Sequence, residues 1–223
     1  MKYKFALIGK NISHSKSKEV YERILDEEVD YTLLDYPEPS KIPALKDLLE
    51  LYPRISITAP YKNVVFKNID VFENNFLNLE SVNAIKLIDG KVIGTNTDIS
   101  AFIKIYETLR EKYPGDVILL GDGNMAKMIM LYFDSHKIKY HNLSRRQGTL
   151  DLFAQDYNGE KLIINACARE YVFNASISQD ALLWDMNYNQ KVQQEICIDK
   201  KMNYLDGYSL LLEQAKFALS FWN

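Results

Sequence analysis

The chain has 223 residues, 47% hydrophobic and 26% charged, with 27 Lys and Arg against 30 Asp and Glu for a formal net charge of −3. Those fractions describe a globular protein of one large or two small domains and exclude a disordered tail or a collagen-like repeat. No broad positive field is present to hold a phosphate backbone, so nucleic acid is not an expected partner.

Only two cysteines occur, Cys167 and Cys197, and the three histidines His14, His136 and His141 are widely separated. Neither a disulfide framework nor a metal site is expected from that set, and His14 reads as an exposed loop residue. Met1 to Gly9 reads as a short strand rather than a charged leader. No apolar run is long enough to span a bilayer, so a cytoplasmic protein with no membrane partner is expected.

Short apolar runs at Phe5 to Ile8, Tyr31 to Leu34 and Ile55 to Ile57 read as strands, with helical periodicity near Lys18 to Leu25 and Ile42 to Leu51. Ser17 is a candidate helix cap. Lys62 falls one residue past the start of a further helix, with Pro60 near its first turn. Strand residues Ile85 to Ile88 follow, then Gly94-Thr-Asn96-Thr-Asp98 opening a helix over roughly Ile99 to Lys112, which Asp98 could cap.

A second series runs strand Val117 to Leu120, helix Met125 to Phe133, then strands Lys139 to Leu143, Leu162 to Asn165 and Leu182 to Asp185. Tyr113-Pro-Gly-Asp116 is the most punctuated junction between the two series. Asp206-Gly207 turns into a closing helix, Tyr208 to Trp222, whose aromatics read as packing. Alternation of this kind predicts an α/β architecture of mostly parallel sheets covered by helices, with ligands at the carboxyl ends of strands.

The most specific local pattern is Gly121-Asp122-Gly123-Asn124-Met125-Ala126, between the strand ending at Leu120 and the following helix. Two glycines there permit a tight turn and close approach of a pyrophosphate to amides at a helix amino terminus, while Ala126 permits close helix–strand packing. The next strand ends in Ser144-Arg145-Arg146, and Arg145 lies 22 residues after Gly123, near the ~20 expected for a ribose selector. An acid there would favour NAD; two arginines supply donors for a 2′-phosphate, so NADP(H) is the expected cofactor.

From end to end the chain resembles the shikimate dehydrogenase family. His14-Ser15-Lys16-Ser17 is similar to its H-S-x-S element, and Ser56-Ile57-Thr58-Ala59-Pro60-Tyr61-Lys62 to its N-V-T-x-P-x-K. Val82-Asn83-Ala84 and Gly94-Thr95-Asn96-Thr97-Asp98 resemble its V-N-T and G-x-N-T-D elements, and Ser144-Arg145-Arg146 its N-R-T/S selector. Leu162 to Ala166, Asp185 to Tyr188 and Gly207 to Gln214 are similar to its D-x-x-I-N-A-T, D-x-x-Y and G-x-x-M-L-x-x-Q elements. Departures cluster near these motifs: Asn11 and Lys18 stand where the family usually has proline, Tyr21 where His or Asn is common, and Ser56 for the usual Asn. Ile99 and Ala101 occupy positions often glycine, and Cys167-Ala168-Arg169 lacks the family's T/S-x-x-G-M turn.

The resemblance implies two domains: residues 1–98 with 206–223 for substrate, and a Rossmann-type NADP-binding domain over 99–205. The closing helix would return to the first domain, bringing Gln214 to a cleft between the two. It implies reversible reduction of 3-dehydroshikimate to shikimate with NADPH, by a monomer or homodimer. Lys62 would be the acid/base group and Asp98 its partner; a ketone reduction needs such a proton source at the developing alkoxide. Ser15 and Ser17 would take the substrate carboxylate and Asn83, Asp98 and Gln214 its hydroxyls, with Thr58 and Tyr188 lining the pocket. Gly121, Gly123, Asn124, Met125, Ala126, Ser144, Arg145 and Arg146 would hold the nucleotide. Alternatives are a dehydrogenase of quinate or a related cyclic hydroxy acid, and a degenerate relative that binds NADP without turnover.

Overall fold

A computed structural model describes residues 3–73, 79–150 and 161–223, so Met1 and Lys2, read with the first strand, lie outside the described residues. The chain divides into two compact units, one running up to Ala101 and including Leu211–Asn223, the other Phe102–Leu210. The division falls within a helix and not at the Tyr113–Asp116 turn.

The first unit contains β1 (Lys4–Gly9), α1 (Ser17–Leu25), β2 (Asp30–Asp35), α2 (Leu45–Leu51), β3 (Arg54–Ile57), α3 (Lys62–Phe66), β4 (Val71–Glu73), β5 (Ala84–Ile88) and β6 (Lys91–Thr95). It also holds the start of α4 (Thr97–Lys112) and most of α7 (Tyr208–Trp222). Its sheet has the order β2-β1-β3-β5-β6-β4. β1 pairs parallel with β2 and β3, and β4 pairs parallel with β6, while β5 runs antiparallel to both β3 and β6. The sheet is therefore mixed. Its antiparallel pair is a hairpin in which Ile88 faces Lys91 across Asp89-Gly90, both at positive φ (49° and 71°), the two-residue turn that matches strand twist. β6 went unread because Gly94 lies inside it, where its missing side chain admits Val82 and Ile69.

Two expected helix starts shift. Ser17 is the first residue of α1 and not its cap, and α4 begins at Thr97, with Asn96 Oδ1 accepting the amides of Asp98 (3.0 Å) and Ile99 (3.3 Å). Asn96, not Asp98, caps α4. The α2 region is also shorter at its start than the apolar pattern from Ile42 implies, because Ile42, which precedes Pro43, and Ala44 have extended backbone (ψ 120° and 133°).

Against one face of the sheet pack Leu45, Leu48 and Leu49 of α2 with Ile8, Ile55, Ile57, Ile85 and Val92 of the strands. Elsewhere in the unit an aromatic stack forms: Phe5 lies 4.7 Å from Tyr21 with rings nearly parallel, and Trp222 sits 5.6 Å from Phe5 and 5.9 Å from Tyr21. The indole Nε1 donates to the Ile85 carbonyl at 2.9 Å, and Lys86 Nζ donates to the Phe221 carbonyl. The last turn of α7 is thus fastened to the first strand, first helix and fifth strand.

The second unit holds β7 (Val117–Leu120), α5 (Asn124–Ser135), β8 (Tyr140–Leu143), β9 (Leu162–Asn165), β10 (Leu182–Asp185), α6 (Lys191–Asp199) and β11 (Asn203–Leu205). All pairings in its sheet, ordered β11-β10-β9-β7-β8, are parallel. β7, β9 and β10 are buried along their whole length, as apolar runs without alternation require. α6 and β11 are polar and short, which is why periodicity alone did not reveal them. β7 lies between β8 on one side and β9 on the other, and the strand order reverses about it, so its carboxyl end is the switch point of the sheet. No helix among the described residues is long and apolar enough to cross a membrane.

Replacing Trp222 by Ala removes the indole from this stack together with its hydrogen bond. The expected cost is about 3–5 kcal/mol, read as a lower urea midpoint for the first unit, with α5 and the sheet of the second unit retaining their amide-exchange protection.

Candidate active site

Three clusters of polar side chains lie in the first unit. In the β1–α1 loop, Ser15 Oγ donates to Ser17 Oγ at 3.1 Å and accepts the Ser17 amide at 3.3 Å. His14, next to them, is exposed.

The second cluster is an ion pair. Lys62 is the first residue of α3, following a turn in which the Tyr61 amide donates to the Thr58 carbonyl at 3.0 Å. Asp98 lies in the first turn of α4. Lys62 Nζ and Asp98 Oδ2 are 2.5 Å apart, with side-chain exposures of 23% and 13%. That exposure keeps the pair within reach of a small ligand while shielding it enough for the charges to order one another.

The third cluster centres on buried Asn83. Its Oδ1 accepts the Thr97 amide at 2.7 Å, and its Nδ2 donates to Thr97 Oγ1 at 3.0 Å and to Gln214 Oε1 at 3.3 Å. Thr97 Oγ1 is also 3.4 Å from Gln214 Oε1. Backbone bonds tie the clusters together: the Val82 amide donates to the Lys62 carbonyl (3.3 Å), the Asn83 amide to Thr95 (3.0 Å), and the Ile57 amide to Asn83 (2.8 Å). Lys62, Asn83, Asp98 and Gln214 are therefore brought together by elements spread over 150 residues of sequence. Thr58 follows β3, its amide donating to the Ile8 carbonyl at 2.9 Å, with its methyl group against Gly9. Thr97 and Asn96 are site residues the sequence reading passed over, although both lie in the quoted Gly94 to Asp98 element.

Tyr21 is a further neighbour. Its hydroxyl lies 3.4 Å from Ser56 Oγ, and burial raises its pKa well above the tyrosine range, with the Asp98 charge adding to the rise. At neutral pH it is a neutral hydroxyl.

The second unit carries the nucleotide candidates at the carboxyl edge of its sheet. Gly121 has φ +107°, and a side chain there would meet the Ala166 carbonyl oxygen at 2.8 Å, so only glycine fits. A side chain at Gly123 would meet nothing within 4 Å, which leaves open space above the turn and in front of α5. Buried Ala126 lets α5 lie close to the sheet. Ser144 is buried, its Oγ accepting the Gln147 amide at 3.3 Å, and orders the turn that carries exposed Arg145 and Arg146. Arg146 Nε lies 3.2 Å from an Asp122 carboxylate oxygen. These residues fit a dinucleotide: a glycine turn, open space at the start of a twelve-residue helix, and an arginine-bearing turn after the neighbouring strand.

Beside the turn, buried Asp185 accepts the Asn187 amide (2.9 Å) and Nδ2 (3.0 Å), and burial holds its carboxyl above the usual carboxylate range. Cys167 is pushed up to about 11 by burial, which makes it a protonated, unreactive thiol at neutral pH. Tyr188 also lies in the second unit, its ring 5.2 Å from the Arg169 guanidinium.

No protein-family model matches the chain. The shikimate dehydrogenase (NADP(+)) of Clostridium perfringens (strain SM101 / Type A) is 31% identical over 140 residues, 60% of this chain and 52% of that protein, so the match spans about half of the relative's length. The enzyme of the same name from Pasteurella multocida (strain Pm70) is 27% identical over 251 residues, 98% of this chain and 93% of its own. Among solved structures, shikimate dehydrogenase from Aquifex aeolicus superposes with a TM-score of 0.77 at 21% identity, covering 98% of this chain and 91% of that one. The chain has the two-sheet α/β fold of the shikimate dehydrogenases and is similar to them in sequence at 27–31% identity.

Proposed function

We propose that the protein is a cytoplasmic, NADP(H)-dependent oxidoreductase that reversibly reduces 3-dehydroshikimate to shikimate, acting as a monomer or homodimer. The observation that carries this reading is the 2.5 Å Lys62–Asp98 pair beside the amide and hydroxyl cluster of Asn83, Thr97 and Gln214. Acid/base and hydroxyl-binding groups of this kind suit a polyol ketone, and a site built on them rejects analogues lacking the hydroxyls.

In this reading the substrate carboxylate lies on the Ser15 and Ser17 hydroxyls. Gln214 uses its Oε1 on Asn83 and Thr97, which leaves its Nε2 to donate to a ring hydroxyl. Thr58 and Tyr188 are assigned to the lining of the pocket. Gly121 to Ala126 accept the pyrophosphate. Arg145 reads the 2′-phosphate, since Arg146 is engaged by Asp122. When bound, the nicotinamide supplies the hydride that reaches the carbonyl carbon. Lys62 Nζ gives a proton to the developing alkoxide oxygen, and the Asp98 carboxylate holds the ammonium in line and balances its charge; in the oxidative direction the same nitrogen takes the proton back.

The test is the initial rate of NADP⁺ reduction with shikimate, run beside quinate and beside NAD⁺. Turnover fastest with shikimate and NADP⁺ is the expected outcome. Preference for quinate would move the substrate to another cyclic hydroxy acid, and no turnover with NADP⁺ binding intact would make this a binding protein.

Lys62→Ala is expected to lower kcat by about 10²–10⁴-fold, the range for a lost general acid, with NADP⁺ affinity by fluorescence titration unchanged. Arg145→Ala is expected to raise KM for NADPH about tenfold or more, the cost of a charge-assisted pair, while KM for NADH moves little; equal effects would make the arginine structural.

A further inference from the structure

The β1–α1 loop is held in a way that its hydroxyl pair does not explain. β1 and β2 pair in register to Gly9 and Asp35, and the Tyr36 amide still donates to the Gly9 carbonyl at 3.0 Å. Past that point the ladder stops, and two consecutive amides of the loop turn onto one side chain. Asn11 N donates to Asp35 Oδ1 at 2.9 Å and Ile12 N donates to Asp35 Oδ2 at 3.0 Å, one carboxylate oxygen for each.

The turn this imposes is tight. Asn11 sits at φ +55°, in the left-handed region, where its short polar side chain is among the best tolerated after glycine. Ile12 is buried, with its side chain seated over Gly9, which has no side chain to obstruct it. From Ile12 the constraint passes directly to the serines: the Ile12 carbonyl accepts the Ser15 amide at 2.9 Å, and Ser15 Oγ is bonded to both the amide and the hydroxyl of Ser17. A carboxylate at the end of β2 therefore fixes, through three residues of backbone, where two hydroxyls stand at the end of β1.

We infer that Asp35 is a positioning residue for substrate binding, its carboxylate pre-organising the Ser15–Ser17 hydroxyl pair to receive the substrate carboxylate. The inference rests on the proposed reaction for the identity of the ligand, but the clamp itself is a property of the loop. Two charge-assisted bonds to backbone amides order the loop before the ligand arrives, so binding is not charged with ordering it. Asp35 makes no use of the proton or hydride chemistry. Its loss falls on affinity and leaves the chemical step alone.

Asp35→Asn tests this with nearly unchanged shape: one oxygen remains, and an NH2 group replaces the other opposite an amide donor. The expected result is a KM for shikimate raised about tenfold, kcat within about threefold and NADP⁺ affinity unmoved, together with faster hydrogen exchange at the Asn11, Ile12 and Ser15 amides. A fall of kcat, NADP⁺ affinity and melting temperature in concert would overturn the positioning role in favour of general stability. Faster exchange with KM unmoved would overturn it by separating the clamp from binding, and unaltered exchange would dismiss the clamp. The unsubstituted protein is assayed alongside: if it does not turn over shikimate, the functional reading fails and the ligand assignment with it, an outcome told apart from the others because exchange in the variant still reports on the loop.

Discussion

A lysine and an aspartate held 2.5 Å apart at the edge of a sheet set the terms for the rest of the first unit. In the proposed reaction the pair must be ordered enough to act on one oxygen atom yet exposed enough to meet it. The fold meets both demands by placing each partner in the first turn of a helix that starts where a strand has just ended: Lys62 after β3, Asp98 after β6. The two strands are not neighbours. β5 lies between them, antiparallel to both, and is immediately preceded by Asn83, whose backbone bonds to Ile57 and Thr95 lock the spacing on either side. The reversed strand is what brings the two helix starts to a common edge.

The nucleotide candidates obey the same geometry in a simpler sheet. All strands are parallel there, so every strand end points to one edge, and glycine turn, arginine turn and the Asp185 network gather on it without a reversal. The departures from the family pattern have local accommodations. Tyr21 and Ser56, both unlike the usual residues, touch one another, and Asn11 adopts a backbone angle that proline cannot.

Much of this was legible in the sequence, and the failures are instructive. Strands buried on both faces, such as Val117 to Leu120 and Leu162 to Asn165, announce themselves as unbroken apolar runs, and Gly121 needed glycine for reasons visible once strand and helix flanked it. Lys62, Asp98, Asn83 and Gln214 stand out only through the family resemblance, since each taken alone reads equally well as an ordinary structural residue. β6 was hidden by Gly94, because a glycine that admits neighbouring side chains looks, in sequence, like one that makes a turn. Thr97 and Asn96 were passed over since their work is done by hydrogen bonds that spacing does not encode. Asp35 gave no signal at all: an acid at the end of a strand is ordinary until the loop that folds onto it is seen.

The closing helix α7 carries two jobs within nine residues. Its end is fastened by Trp222 to β1, α1 and β5, while two turns earlier Gln214 reaches Asn83 and Thr97. A ligand that grips Gln214 thus also holds the element that seals the aromatic stack. Occupancy and folding then become linked equilibria: saturating ligand adds a stabilisation that grows with the logarithm of its concentration, and conditions that loosen the last turn are felt as weaker binding before the unit unfolds.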